Sequence, residues 1–395
     1  MTSRERERQT LEFQRLKERG AVEETFFPWG LAVDRFKTEG IPAGIADGAK
    51  DMSHNNSAEE KQRETYLAVD WGEGVLAYEQ YLGFDPVRRA HFILPFRGFE
   101  EKLLSEDENF IFRQDMCGRV IKRNKRNDLE TIEQPIIKTA ADWETLKEHA
   151  EQELETWFTD KAIDAKFAPL REGHERGDYS IRLDIEGFFW IPRDLLGVEP
   201  HMYAFYDEPE LLHDINQFAL RVFLTRLLRV IDLIKPDVLY MIEDLSGKNG
   251  PMISGALFDE FVGDYYRQLV PVLKEHGVGN VFIDTDGDFA QLIPNFMAAG
   301  IDGFMPMDVN AGMDIVKVRR DFPTLKFIGG FNKLCIAQGR EAIDREFQRI
   351  LPVIRSGGYI PGADHQVAPS TSLADYRYYI KRLAEMMEQA GADLS

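Results

Sequence analysis

From about residue 179 onward the chain alternates between short apolar runs and longer segments of helical periodicity. The apolar runs fall at residues 180–185, 238–242, 281–283, 303–307, 325–328 and 358–360. Brief, continuous runs of this kind mark strands buried on both faces of a parallel sheet. Between and after them, residues 209–233, 254–275, 289–299, 314–320, 340–356 and 372–388 read as helices. Strands alternating with helices predict βαβ units and an α/β fold with a parallel sheet. Six such units in about 200 residues predict a (β/α)8 TIM barrel whose first strands come from the N-terminal part. A doubly wound open sheet is the alternative. No glycine-rich phosphate loop follows any of the apolar runs, so the dinucleotide fingerprint is missing.

The first 175 residues are less regular. Residues 2–19 predict a charged helix with a thin apolar stripe of Leu11, Phe13 and Leu16. Residues 26–30 (FFPWG) read as an aromatic turn, 31–39 as a short helix, and 44–62 as a polar loop. Residues 66–81 look helical. Residues 92–99, 110–112 and 120–123 alternate enough for antiparallel strands. A helix is expected over 140–154, opened by Thr139 or Asp142. Residues 1–175 are thus expected to be N-terminal decoration plus the first barrel elements. Residues 176–395 would form the main barrel, within one domain overall.

Chemistry in such barrels sits at the C-terminal ends of the strands. The first run leads into Asp184, Glu186, Phe189 and Trp190, and the second into Glu243 and Asp244, with Lys248 beyond. The third ends in Asp284, Asp286 and Asp288. The later runs end in Asp308 and Asn310, in Asn332 and Lys333, and in Asp364 and His365. Carboxylates cannot be buried unpaired without a large cost, so these ends open onto a polar site. Each residue also has a plainer role. Glu243, Asp244, Asp286 and Asp288 precede helices, where carboxylates cap backbone N–H groups. Trp190 reads as pocket wall, Cys335 as a small core hydrophobe, and His365 as either a reactive or a hydrogen-bonded structural histidine. Their coincidence at matching strand ends favours an active site. Acid–base catalysis, hard-metal binding through oxygen, and recognition of a cationic or polyhydroxy ligand all suit it.

Charge and composition narrow the classes. The net charge is −20, from 68 acidic and 48 basic residues. That excludes a nucleic-acid partner, which needs a basic footprint, and speaks mildly against a substrate with many carboxylates. No run of about 18 apolar residues is present, so no membrane span is expected. The two cysteines, Cys117 and Cys335, support neither a disulfide framework nor a thiolate-rich zinc site. The opening MTSRERERQTLEF lacks the apolar core of a secretory signal, and the cytoplasm is the expected compartment.

Several segments, in order and spacing, resemble the uroporphyrinogen decarboxylase (URO-D) superfamily, which includes corrinoid-dependent methyltransferases. They are DIEGFFWIPRDLLG (184–197), DEPEL (207–211), EDLSGKNGPMISGALF (243–258), FIDTDGDF (282–289), AGIDGF (299–304), FIGGFNKL (327–334) and GYIPGADHQVAP (358–369). The resemblance implies a (β/α)8 barrel with N-terminal additions, a deep cleft at the strand C-termini and a homodimer. Uroporphyrinogen decarboxylases carry an RQAGR-type loop near the N-terminus to hold substrate carboxylates. The corresponding stretch here is residues 28–36 (PWGLAVDRF), with Arg35 its only arginine. Their C-terminal histidine is matched by His365.

Zinc-dependent methyltransferases of the superfamily place a His-X-Cys pair where this chain has Asp284-Thr285-Asp286, and a later cysteine near His365. The three slots therefore read Asp284, Asp286 and His365. Such a set suits a divalent metal harder than thiolate-bound zinc, or metal-free proton transfer. The resemblance implies a methyltransferase moving a methyl group between a small methylated substrate and a corrinoid protein. His365 would be the acid, oriented by Asp364, with Asp284 and Asp286 holding a metal or the substrate. Asp184, Glu186, Phe189, Trp190, Glu243, Asp244, Lys248, Asp308, Asn310, Asn332 and Lys333 would line the substrate pocket. The alternatives are a decarboxylase of a porphyrinogen or other aromatic acid, and a non-catalytic barrel that binds a ligand or a corrinoid protein.

Overall fold

A computed structural model of the chain describes residues 1–14, 18–50, 66–69, 73–126 and 129–393. Eight strands form one sheet, in the order β1 (Leu67–Val69), β2 (Val87–Phe92), β7 (Ser180–Glu186), β8 (Val238–Ile242), β11 (Asn280–Asp284), β12 (Gly303–Met305), β13 (Lys326–Phe331) and β14 (Tyr359–Ala363). Every pairing from β2 to β14 is parallel, and β1 adds antiparallel to β2. All six apolar runs become strands of this sheet. Among the described residues no ladder joins β14 to β1 or β2, so the architecture is a mixed α/β fold with a parallel sheet. Residues 21–25 touch both flanks of the series. Val22 O accepts a hydrogen bond from Asp85 N at 2.7 Å, just before β2, and Glu24 Oε1 accepts one from Ala363 N in β14 at 3.0 Å.

The sheet is buried on both faces, which is why its strands read as continuous apolar runs. Leu239, Met241, Val281, Ile283, Phe304, Phe327 and Tyr359 pack into the large core under the helices. The opposite face gathers Val238, Tyr240, Phe282, Met305, Ile328 and Ile360 with Leu11 and Ala21 of the N-terminal segment. Each fully buried side chain of that size contributes roughly 1.5–3 kcal/mol. The N-terminal segment is therefore part of the fold.

It is also fastened by charge. The helix Ser3–Leu11 opens with a capping box between Thr2 and Glu5. Its Glu7 is buried against Ser180 and Arg182, Glu23 pairs with the same arginine, and Arg6 and Arg19 both reach Asp85. The helix is shorter than the expected 2–19. It ends at Leu11, and Phe13 follows in the left-handed region at φ 55°, which no helix continues through. Residues 15–17 lie outside the described set.

Other boundaries also moved. Residues 66–81 are β1 followed by the helix Glu73–Leu82. The strand expected over 92–99 lies earlier, as β2, which brings the N-terminal part into the main sheet. The described part of the expected 44–62 loop contains the helix Ala43–Lys50, and residues 51–62 lie outside the described set. The strands at 110–112 and 120–123 belong to a separate antiparallel sheet of β3 (Lys102–Glu106), β4 (Phe110–Gln114), β5 (Val120–Asn124) and β6 (Glu130–Gln134). Its edges β3 and β6 are exposed along their length, so no buried face marks them in the sequence. The helix Ala140–Trp157 is opened by Thr139 and Asp142 together, in a capping box.

Candidate active site

Parallel register sets the strand ends level. Glu186, Ile242, Asp284 and Met305 lie side by side across β7, β8, β11 and β12. Asp284, the last residue of β11, faces the charges of Asp244, Asp286 and Asp184. Burial, reinforced by those three carboxylates, drives its pKa well above the usual range. Two residues on, Asp286 is pushed to about 6 by burial and by Asp244, Asp308 and Asp364, against the opposing pull of Lys333. Asp286 N donates to Asp244 Oδ1 at 3.2 Å. Asp244 itself sits in the left-handed region at φ 42°.

His365 faces this group from the end of β14. Its Nε2 lies 3.8 Å from Asp286 Oδ2, and its ring packs on Phe26 with centroids 5.3 Å apart. Its Nδ1 accepts a hydrogen bond from Gln366 N at 2.8 Å. The neutral ring therefore carries its proton on Nε2, the side facing Asp286. Burial, then Lys333, hold its pKa below the usual histidine value.

The expectation that Asp364 orients His365 is corrected. Adjacent residues of an extended segment project to opposite sides. Asp364 is fully buried, and its Oδ1 accepts from Lys333 N at 2.9 Å. Its Oδ2 accepts from Val309 N at 3.0 Å and from Asn310 Nδ2 at 3.1 Å. It ties three loops together, and burial followed by the nearby Asp308 raises its pKa to about 6.

Glu243 also turns inward. Its Oε2 accepts from Phe189 N at 2.8 Å and Trp190 N at 2.9 Å, and its Oε1 accepts from Tyr266 Oη. It holds the turn that starts the helix Trp190–Leu196. The turn can approach only because residue 187 is glycine: a Cβ there would stand 2.3 Å from the Glu243 carboxyl carbon.

The remaining expected residues divide. Asp308 caps its own turn through Asn310 N and Ala311 N, and Asn332 Oδ1 caps the next through Leu334 N and meets Asn310 Nδ2 at 3.3 Å. Asp288 Oδ1 likewise accepts from Ala290 N. Glu186 accepts from Leu94 N and lies 3.6 Å from Arg97, in a small cavity that also contacts Cys117 and Asp194. Phe189 is buried between His201 and Phe205. Trp190 is half-buried and stacks under Arg193, whose Nη1 donates to Asp244 O at 2.5 Å. Lys248 is exposed between the two-residue strands β9 (Ser246–Gly247) and β10 (Gly250–Pro251). Asp184 meets His91 of β2, Nδ1 to Oδ1 at 2.5 Å. The structure thus gathers Asp184, Asp244, Asp284, Asp286, Asp308, Asp364, Lys333 and His365 by mutual charge. The sequence pattern did not single out Phe26, His91 or Arg193, the first two because their places beside the sheet are not legible from local periodicity. Arg35 pairs with Glu39 and donates to Pro369 O and Ser370 O, away from this group.

Among the described residues no three His, Cys, Asp or Glu side chains converge closely enough to hold a metal ion. Asp284, Asp286 and His365 are neighbours by charge and do not form a ligand set. Also among the described residues, no helix is long and apolar enough to cross a membrane.

A model of the family described as Uroporphyrinogen decarboxylase (URO-D) matches residues 195–386. No curated protein matches the chain. Among solved structures, a methyltransferase from Methanosarcina mazei aligns with a TM-score of 0.60 over 98% of this chain and 99% of its own, at 13% identity. So low an identity speaks for the fold. The strand-end motifs and the family match fall on the same part of the chain, and residues 195–386 are similar to the Uroporphyrinogen decarboxylase (URO-D) family.

Proposed function

We propose that the chain is a (β/α)8-barrel enzyme that moves a methyl group between a small methylated substrate and a corrinoid carried by a partner protein. The contacts of residues 21–25 with both flanks of the sheet support the barrel. One observation carries the chemistry: carboxyl groups whose pKa values are raised by burial and by one another, beside a histidine that presents an N–H. Asp284 is driven well above the usual carboxylate range, Asp286 lies at about 6, and His365 offers Nε2–H toward Asp286.

Breaking a methyl–heteroatom bond leaves a pair of electrons on the heteroatom. A proton delivered there as the bond breaks lowers the barrier, typically by a factor of 10²–10⁴. Asp284, its pKa raised, and the His365–Asp286 pair are the groups placed to deliver it.

Decarboxylation of a porphyrinogen is less well supported. A substrate with several carboxylates needs cationic clamps, usually arginines. Here Arg35 is engaged elsewhere, Arg193 donates to the Asp244 carbonyl, and Arg97 faces Glu186. The test is direct. Methyl ethers of small phenols are supplied with free cob(I)alamin, and methylcobalamin formation is followed by absorbance, with CO2 release from a porphyrinogen measured in parallel. Methyl transfer that collapses in His365→Ala and Asp284→Ala supports the reading. CO2 release, or transfer unchanged in both variants, refutes it.

A further inference from the structure

Tyr240 stands in the middle of β8, and the sheet brings it to the acid group. In the parallel register it lies level with Asp184 of β7 and Phe282 of β11. Alternate residues of a strand project to one face, so Asp284, two positions beyond Phe282, shares that face. The Tyr240 ring belongs to the apolar cluster of Val238, Phe282, Met305, Ile328 and Ile360. Its hydroxyl is under the charges of Asp184 and Asp284. Burial, then those two carboxylates, outweigh Arg89 and Arg182 and drive the phenol pKa well above its usual value, so the O–H keeps its proton.

Among the described residues this hydroxyl makes no hydrogen bond. By contrast, the buried Tyr266, Tyr359 and Tyr376 donate to Glu243, to Gly329 O and to Glu24. Nor is it sealed off, as the Tyr78 hydroxyl is, so the 8% of Tyr240 that stays exposed includes the hydroxyl itself. Packing alone would be served by phenylalanine, which has the same ring and no polar atom to leave unmet. A donor that holds its proton, points beside Asp284 and has no partner of its own is placed to meet a ligand.

We propose that Tyr240 is a further catalytic residue, whose O–H donates a hydrogen bond to the oxygen that loses the methyl group. This deepens the methyl-transfer reading and rests on it. When the methyl group passes to the cobalt(I) nucleophile, the methyl–oxygen bonding pair stays on oxygen. That oxygen takes a proton from an acid of the site, while Tyr240 keeps its own proton and only donates the hydrogen bond. The methyl donor is thereby an ether: its oxygen has lone pairs for both groups, whereas a quaternary nitrogen has none. A single donor aimed at developing negative charge is typically worth about 10²–10³ in kcat.

Tyr240→Phe removes the hydroxyl and keeps the ring. The first measurement needs no reaction: calorimetric binding of anisole and of ethylbenzene, which replaces the ether oxygen by a methylene. The ratio of the two affinities should shift against anisole by about 2–10-fold in Tyr240→Phe. An unchanged ratio, or no binding of anisole by the wild type, overturns the inference. The second is turnover of methyl aryl ethers with free cob(I)alamin. Tyr240→Phe should lower kcat for anisole by about 10²–10³-fold, with far less change in KM and the melting temperature retained. The loss should be smaller for the methyl ether of 4-nitrophenol, whose oxyanion needs less stabilisation. Wild-type turnover that Tyr240→Phe leaves unchanged sinks the Tyr240 role and leaves methyl transfer standing. No turnover by the wild type, with the affinity ratio still shifting in the variant, sinks methyl transfer and leaves Tyr240 as the donor to a bound ether oxygen.

Discussion

Glu243 offers the sharpest test of how this site is held together. It is fully buried, receives two backbone N–H groups of the 189–190 turn, and accepts from Tyr266. Burial nevertheless outweighs those hydrogen bonds and raises its pKa from 4.5 to about 7. A group whose pKa is raised by folding favours the folded state while it is protonated. Its contribution is complete below the unfolded value and is lost as pH rises through the folded one. At about 1.4 kcal/mol per pH unit, the interval between 4.5 and about 7 amounts to about 3 kcal/mol.

Glu243→Gln keeps an oxygen for the two N–H groups and cannot titrate. Other raised carboxyls in the molecule change stability with pH in both proteins alike, so the comparison isolates this one. Urea unfolding of both at about pH 4.5 and about pH 8 should show the variant gaining about 3 kcal/mol on the wild type across that range. A difference that stays constant with pH would mean that the carboxyl is not held protonated by its burial.

Other perturbations draw on the same geometry. Gly187→Ala sets a methyl 2.3 Å from the Glu243 carboxyl carbon, and overpacking of this kind costs roughly 1–3 kcal/mol, readable as a lower melting temperature. Arg182→Met strands Glu7 and Glu23 as buried carboxyls, and should cost about 3–5 kcal/mol near neutral pH, less in acid, by denaturant titration. If Asp286 delivers its proton during turnover, the rate should fall as pH rises through its pKa of about 6, and Asp286→Asn should flatten that limb of the pH–rate profile.

The parallel sheet was legible because burial on both faces forces continuous apolar runs, and all six of those runs are strands of it. The appended antiparallel sheet was half legible: β4 and β5 carry Phe110, Phe112 and Ile121, whereas the exposed edges β3 and β6 carry no periodic signal. β2 was displaced because its inward positions include Arg89 and His91, polar residues that belong to the interior of the sheet and break the apolar pattern.

For the site, the sequence by itself determined which residues stand at the strand ends, since strand length and the following turn residues fix those positions locally. It therefore determined the carboxylates Asp284, Asp286 and Asp364, and His365 beside them. The tertiary structure decided which way each faces and what it meets. It turned Glu243 onto backbone N–H groups and Asp364 onto three loops. It joined His91 to Asp184 across two strands whose partners lie 93 positions apart in the register. The physical reason is that a carboxyl's chemistry depends on its desolvation and on its neighbours' charges. Both are set by segments distant in the chain, which only the folded sheet brings within a few ångströms.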